Sequence, residues 1–389
     1  MERESPMKQR EGLRPIIGFV LTMLFLNACS GSVEVLSTAT SSPPTVTSIP
    51  PTPTAVPPTD IPPSPTPALP VITVETIGRL AVFMSFGEGE VLRSVAFSRD
   101  NTVLASVAGN TEDFAIRLWE VASGQSLGIL DGHAGIVWGV AFSPDGQMLA
   151  SVSSDATSKV WDWRQGTLIK SLDFPSQVVS VSFSPDGQIL AVGGVDERGT
   201  NELRNAAVWT FSVGSWGSLI KFPEYWNIGA MAYSPDGSLL VGGGTSRNVQ
   251  VWRTSDGASL FTLNHAHQVS SAAISPDGST VATATCEIAV SAECTEGGVW
   301  LWDLPTGRLI ERLAGFPDIV ERVAFSLDGS SLIAGSRGGT LRAYATSDYQ
   351  TVLETTSPGG IGALAVSPDG RLLATGGANG EVHIWRVEP

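Results

Sequence analysis

Seven times the chain returns to Ser-Pro-Asp-Gly or a close variant, starting at Ser98, Ser143, Ser184, Ser234, Ser275, Ser326 and Ser367. The intervals are 45, 41, 50, 41, 51 and 41 residues. A period of this size marks one supersecondary unit stacking on the next to share a continuous core. The units at 41 residues give the minimal length, and the longer ones carry insertions.

Each unit has the same order: an apolar run, the tetrapeptide, a second apolar run, a polar gap, and a short strand ending in an aromatic. In the second unit, Ile136 to Phe142 and Met148 to Val152 read as antiparallel neighbours around the turn Ser143-Pro144-Asp145-Gly146. Proline presets φ at the second turn position, aspartate bonds nearby backbone, and glycine takes the positive φ that closes the hairpin. Ser158 to Trp161 and Thr167 to Leu172 supply a third and a fourth strand. Four short antiparallel strands per unit, repeated seven times, predict an all-β fold, a seven-bladed β-propeller of four-stranded blades.

The third strands end in Leu118-Trp119-Glu120, Val160-Trp161-Asp162, Val208-Trp209-Thr210, Val251-Trp252-Arg253, Leu301-Trp302-Asp303, Ala343-Tyr344-Ala345 and Ile384-Trp385-Arg386. This register resembles the WD-repeat β-propeller family. The resemblance implies a hydrogen-bonded structural tetrad in the second unit, made by His133, Ser151, Asp155 and Trp161. Elsewhere the pattern decays, with Asn379 at the aspartate position of the last unit and no Gly-His in most others. Blade stability is therefore expected to rest on packing between sheets.

The last unit runs out at Val387, the end of its third strand. Gly78 to Ser85 aligns with other fourth strands, such as Gly307 to Leu313, so this N-terminal outer strand is expected to close the ring. The propeller is assigned to residues 73–389.

Ahead of it lie two segments of different composition. Residues 1–28 have the layout of a secretory signal, with Lys8, Arg10 and Arg14 before the apolar stretch Pro15 to Leu26. Leu26-Asn27-Ala28-Cys29 resembles a bacterial lipobox, which implies cleavage before Cys29 and lipidation of its thiol; an ordinary signal peptide and an uncleaved anchor are the competing readings. Translation starts at Met1 or at Met7, the latter giving the more ordinary signal. Residues 29–72 follow as a stalk. Between Ser30 and Pro70 there are 12 prolines and 15 serines or threonines but only two charges, Glu34 and Asp60. Such a segment buries no core and favours extended polyproline II, with a reach of up to roughly 120 Å at ~3.1 Å per residue. Its hydroxyls leave O-glycosylation open. A lipid anchor and a stalk imply an extracytoplasmic location, on the cytoplasmic membrane's outer face or on an outer membrane.

The formal net charge is -15. With no clustered basic face, the sequence argues against nucleic-acid binding. Cys286 and Cys294 fall in the insertion of the fifth unit, Thr285 to Gly298, read as an exposed loop. Two thiols in one loop of an exported protein point to a disulfide, with free thiols as the competing reading. A metal site has no Cys-x-x-C pattern or neighbouring histidine behind it.

That insertion and the one from Val195 to Ala206 both join second to third strands, a connection that leaves a blade on the same rim as the blade-to-blade links. One face thus collects the candidate binding residues Tyr225, Trp226, Asn227, His265 and His267. Tyr225 and Trp226 are the leading anchors, the competing reading being that Trp226 packs over a blade edge. His265-Ala266-His267 is on its own a weak metal pattern. On the innermost strands small residues recur (Ser94, Gly139, Ser180, Ala230, Ser271, Ala363), and Arg322 is the exception. Its guanidinium either pairs with a neighbouring carboxylate such as Glu321 or Asp318, or binds an anion or small molecule in the channel.

No nucleophile elbow, phosphate loop or paired-carboxylate motif is present. The expected function is a monomeric protein-binding scaffold, with a protein partner, membrane attachment through lipid, no cofactor, no metal and no catalysis. A propeller hydrolase or lactonase-like enzyme, or a small-ligand sensor at the channel mouth, is the alternative.

Overall fold

Ser143 shows why the tetrapeptide recurs. In the computed structural model its Oγ donates to Asp145 Oδ1 at 2.6 Å and accepts the Met148 N–H at 2.9 Å. Asp145 Oδ1 also accepts the Gln147 N–H at 3.0 Å, while Gly146 sits at φ 71°. The serine is buried, so a polar side chain is fully bonded inside the turn. The first unit solves the same problem with Asn101 in place of glycine, at φ 61°. Asparagine is among the few residues that tolerate that region. Successive turns also touch: a Cβ added to Gly187 would lie 3.6 Å from Pro144 Cδ of the preceding unit.

The structure describes residues 69–87, 89, 91–109, 113–196, 205–224, 228–244, 247–290 and 293–388. The signal-like segment, Cys29, nearly all of the stalk, and Tyr225, Trp226 and Asn227 lie outside the described residues.

Residues 69–388 form seven antiparallel sheets of four strands each, a seven-bladed β-propeller. Blade two, for example, is built from Val137–Phe142, Leu149–Ser153, Thr157–Asp162 and Thr167–Asp173, in that order from the axis outward. The core is divided among the blade interfaces. One buried cluster joins Val103, Ile116 and Leu118 of blade one to Val140, Leu149 and Trp161 of blade two. Another joins Leu92 and Trp119 of blade one to Ala374 and Ile384 of blade seven, closing the circle.

Closure follows the expected route. Blade seven contains Ala363–Val366, Leu372–Gly376 and Glu381–Val387, and its outer strand is Leu80–Gly87 from the N-terminal side. Leu80 pairs with Val387 and Phe86 with Val382, with a register shift between Val82 and Met84. Phe83, left without a partner by that shift, lies under the Arg386 guanidinium at 3.8 Å.

The packed chain begins upstream of residue 73. Ile72 and Ile77 are fully buried against Ile333, Leu341 and Trp385. The Ile72 N–H donates to Gly370 O at 2.7 Å and the Val74 N–H to Ser330 Oγ at 2.9 Å. The closing strand is therefore preceded by a buried brace that the proline-rich composition concealed.

A second correction concerns the insertion of blade five. Its residues lengthen the strands themselves, Thr280–Val290 pairing with Glu293–Asp303 as a projecting hairpin with register shifts near Ile288. The alternation of backbone pairing carries past the blade, so the insertion is a two-stranded arm and not a loop.

Candidate functional site

In blade two, His133 Nδ1 lies 2.8 Å from Asp155 Oδ2, and His133 Nε2 lies 2.8 Å from Ser151 Oγ. Trp161 Nε1 donates to the same hydroxyl at 2.9 Å. Burial pushes the His133 pKa down, against the pull of Asp155. Burial alone would raise Asp155, yet bonds from Thr157, the Ala134 N–H and His133 hold its carboxyl below the usual range. These are saturated, interior partners, an arrangement suited to structure and with no group left to attack a substrate.

The decay expected in the other blades is only partial. Trp119, Trp302 and Trp385 donate to Ser106, Thr283 and Thr375 of their own second strands at 2.8, 3.2 and 2.8 Å. Where that strand lacks a hydroxyl, as at Gly242 of blade four, packing takes over: a Cβ there would meet the Trp252 ring at 2.7 Å.

His265 belongs to this interior and not to the rim. It is buried, with Nε2 2.8 Å from Thr283 Oγ1 and Nδ1 3.1 Å from Leu263 O. Its ring packs in a three-ring cluster with Trp300 and Trp302, at centroid distances of 4.8 and 5.1 Å. Burial lowers its pKa to about 4. A ring so enclosed is unavailable to share a metal with His267. Among the described residues, no group of three or more His, Cys, Asp and Glu side chains is placed to hold a metal ion. The residue that sequence reasoning missed is Trp300, whose indole N–H donates to Glu287 and whose face carries the Arg312 guanidinium at 3.7 Å. Together they anchor the root of the projecting hairpin.

Beside that hairpin opens a groove of about 550 Å³. It is lined by Arg247 of blade four, His267 and Gln268 of the link into blade five, Cys286 and Cys294 of the hairpin, and Asp318 and Arg337 around blade six. All of these leave their blades on the face that carries the links. Cys286 and Cys294 are disulfide-bonded, eight residues apart. Ile288 and Val290, at the hairpin's end, are 50% and 58% exposed. Nothing in the local sequence signals the groove, because its walls come from three blades.

Gln268 also lines a second recess, of about 350 Å³, at the mouth of the axial channel. Arg93, Trp138, Gln177, Glu321 and Arg322 are among its other lining residues. Of the two carboxylates considered for Arg322, Glu321 forms the ion pair, a long one, and Asp318 does not. Arg322 Nη1 and Nη2 donate to the backbone carbonyls of Glu321 and Arg93 at 2.8 and 2.9 Å, while Glu321 Oε2 stays 4.0 Å away. Asp318 instead accepts the Gly338 N–H at 3.1 Å.

Six segments match the family model described as "WD domain, G-beta repeat": residues 82–120, 124–162, 166–198, 216–253, 257–303 and 349–386. Together they cover more than half of the chain. The chain belongs to the WD-repeat family. The stretch between residues 303 and 349, left unmatched, is the unit in which Tyr344 replaces the WD tryptophan.

This WD-repeat chain is similar to eukaryotic translation initiation factor 3 subunit I of Aspergillus niger, with 38% identity over 95 residues, 24% of this chain and 27% of that protein. It is similar to the subunit of the same name from Drosophila virilis, with 23% identity over 313 residues, 77% of this chain and 95% of that one. The match thus spans about a quarter of the length of the Aspergillus relative. These relatives are named as subunits of a translation initiation factor. They overturn the expected location. Relatives that are translation initiation factor subunits stand against a lipid-anchored, extracytoplasmic protein, and that expectation is corrected here.

Proposed function

We propose that this WD-repeat propeller is a protein-interaction scaffold whose partner seats on the link-bearing face, across the groove beside the blade-five hairpin. The observation that carries this is the groove itself, about 550 Å³, walled by three blades and flanked by a hairpin whose end exposes Ile288 and Val290. Apolar side chains held out on a disulfide-pinned arm are suited to burial against a partner, and a rigid scaffold lowers the ordering cost of binding. The mixed lining of Arg247, His267, Asp318 and Arg337 supplies the polar contacts that fix register. Tyr225 and Trp226, in the link from blade three to blade four, are proposed as further anchors on this face. The relatives' name as one subunit among others is in keeping with a partner-binding role.

The experiment is a capture with the full chain, parent against the double variant Ile288→Asp, Val290→Asp. Leu327→Asp, at an exposed position in a turn of the opposite face, is the control. A protein retained by the parent and the control but lost by the hairpin variant is the expected result. Equal retention by all three chains would remove the groove from the proposal.

A further inference from the structure

Among the described residues, the channel mouth gathers more positive than negative charge. Among the described residues, two guanidiniums, Arg93 and Arg322, line it beside one carboxylate, Glu321. That carboxylate is shared: Arg337 donates to Glu321 Oε1 from Nε at 2.8 Å and from Nη2 at 2.6 Å, leaving Oε2 4.0 Å from Arg322 Nη1. Arg322 donates to two backbone carbonyls, one of them that of Arg93, and its remaining ionic contact, with Glu321 Oε2, is long at 4.0 Å. Burial pushes the Arg322 pKa below its ordinary value, Glu321 pulls against that, and the charge of Arg93 adds a smaller push down. In a chain of formal net charge -15 this local excess is a departure from the surface at large.

Two further donors point the same way. Arg93 Nε and Trp138 Nε1 are buried without a hydrogen-bond partner. They belong to one assembly, since the Arg93 guanidinium lies over the Trp138 ring at 5.2 Å. Arg322 and Trp138 line both the mouth and the narrower space of about 150 Å³ beneath it, where Ser94, Ser180, Ser270 and Ser271 also face the axis. Buried N–H groups are costly to leave unmet, and two neighbouring guanidiniums repel until an anion sits between them. A lone water would satisfy one donor and leave the charge.

We propose that the channel mouth is an anion site, taking a carboxylate or phosphate group on the guanidiniums of Arg322 and Arg93 and the indole N–H of Trp138. The planar fork of arginine suits the paired oxygens of either group. The hydroxyl-lined space below admits a small polar body attached to it. The group arrives either on a free small molecule or on an acidic side chain of a docked protein, and the two sources are separable.

The test is calorimetric titration of the full chain with inorganic phosphate, with glutarate, and with a blocked tri-glutamate peptide, using tri-glutamine as its neutral counterpart. Binding of one equivalent of an anionic probe is expected, weakened at least about tenfold in Arg322→Gln. Trp138→Phe keeps the ring and loses only the N–H, and is expected to weaken binding about threefold or more with an unchanged melting temperature. Binding of phosphate or glutarate assigns a free anion, and binding of the peptide alone assigns a partner's side chain. No binding of any anionic probe at millimolar concentration, or unchanged binding in both variants, would overturn the site. Ile288→Asp is expected to bind anions like the parent, so the groove and the channel mouth stand or fall separately.

Discussion

Trp161 and His133 meet on one atom. The indole N–H donates to Ser151 Oγ at 2.9 Å, and the same hydroxyl lies 2.8 Å from His133 Nε2. With the His133 pKa lowered by burial, the ring is neutral near pH 7. Its Nδ1–H donates to Asp155, and its bare Nε2 accepts the serine proton. Ser151→Ala would strand both the indole N–H and the Nε2 lone pair in a buried site. A loss of about 2 kcal/mol is expected, read as a lower urea midpoint. Ser123→Ala, at an exposed turn, should leave the midpoint unchanged.

The brace before the closing strand gives a second test. Ile77 is fully buried among Ile333, Leu341 and Trp385, far along the chain from all three. Ile77→Ala should cost about 2–5 kcal/mol, the ordinary range for truncating a buried isoleucine. Deleting residues 69–87 removes blade seven's outer strand as well, and the native circular-dichroism spectrum should be lost. A truncated chain that melts like the parent would show that the ring closes without this segment.

How much of this was legible follows from which interactions are local. The Ser143 turn and the Trp161 strand end repeat because each blade must solve the same short-range problem, so their spacing announced the propeller and its closure. Ile72 and Ile77 were hidden because a single buried residue beside a proline-rich flank has no period. His265 was misplaced for a related reason: its two-residue spacing from His267 suggested one surface, whereas the strand end turns one ring inward against Trp300 and Trp302 and leaves the other to line the groove. The groove and the channel mouth were out of reach, since residues as distant as Arg93 and Arg322 become neighbours only when the ring closes.

His265 makes the fold sensitive to mild acid. Its pKa falls from an ordinary 6.5 to about 4 in the folded chain, first through burial. The unfolded chain thus takes up the proton more readily, and stability falls as pH drops from 6.5 towards 4. At pH 4 the loss from this residue alone is on the order of 3 kcal/mol. His265→Phe should flatten the dependence of melting temperature on pH in that window. An equally steep slope in the variant would show that other groups carry it.

A second, lower acid window belongs to the turns. Bonds from Ser234 and Ser238 hold the Asp236 carboxyl at about 2, and Asp186 and Asp277 are lowered by their own turn serines first. A carboxylate with a depressed folded pKa contributes stability above its unfolded value near 3.8, and that contribution is lost as pH falls towards 2. Asp236→Asn keeps the side chain's shape without the titrating charge. Its acid-unfolding midpoint should move less steeply between pH 4 and 2 than the parent's, a comparison made at matched ionic strength.

The disulfide of the hairpin separates stability from recognition. Its loop is closed by residues only eight apart, so chain entropy limits its contribution to about 2–3 kcal/mol. Meanwhile the hairpin's root is held independently by the Glu287 bond to Trp300, the Arg312 stack and the buried His265. The double variant Cys286→Ala, Cys294→Ala should therefore melt a few degrees lower but stay folded, while the arm bearing Ile288 and Val290 loses its fixed position. Partner capture should fall more than stability does, because freeing the arm returns the ordering cost that the staple had removed. A variant that captures the partner as well as the parent does would place the binding surface on the groove's blade-four and blade-six walls and not on the arm.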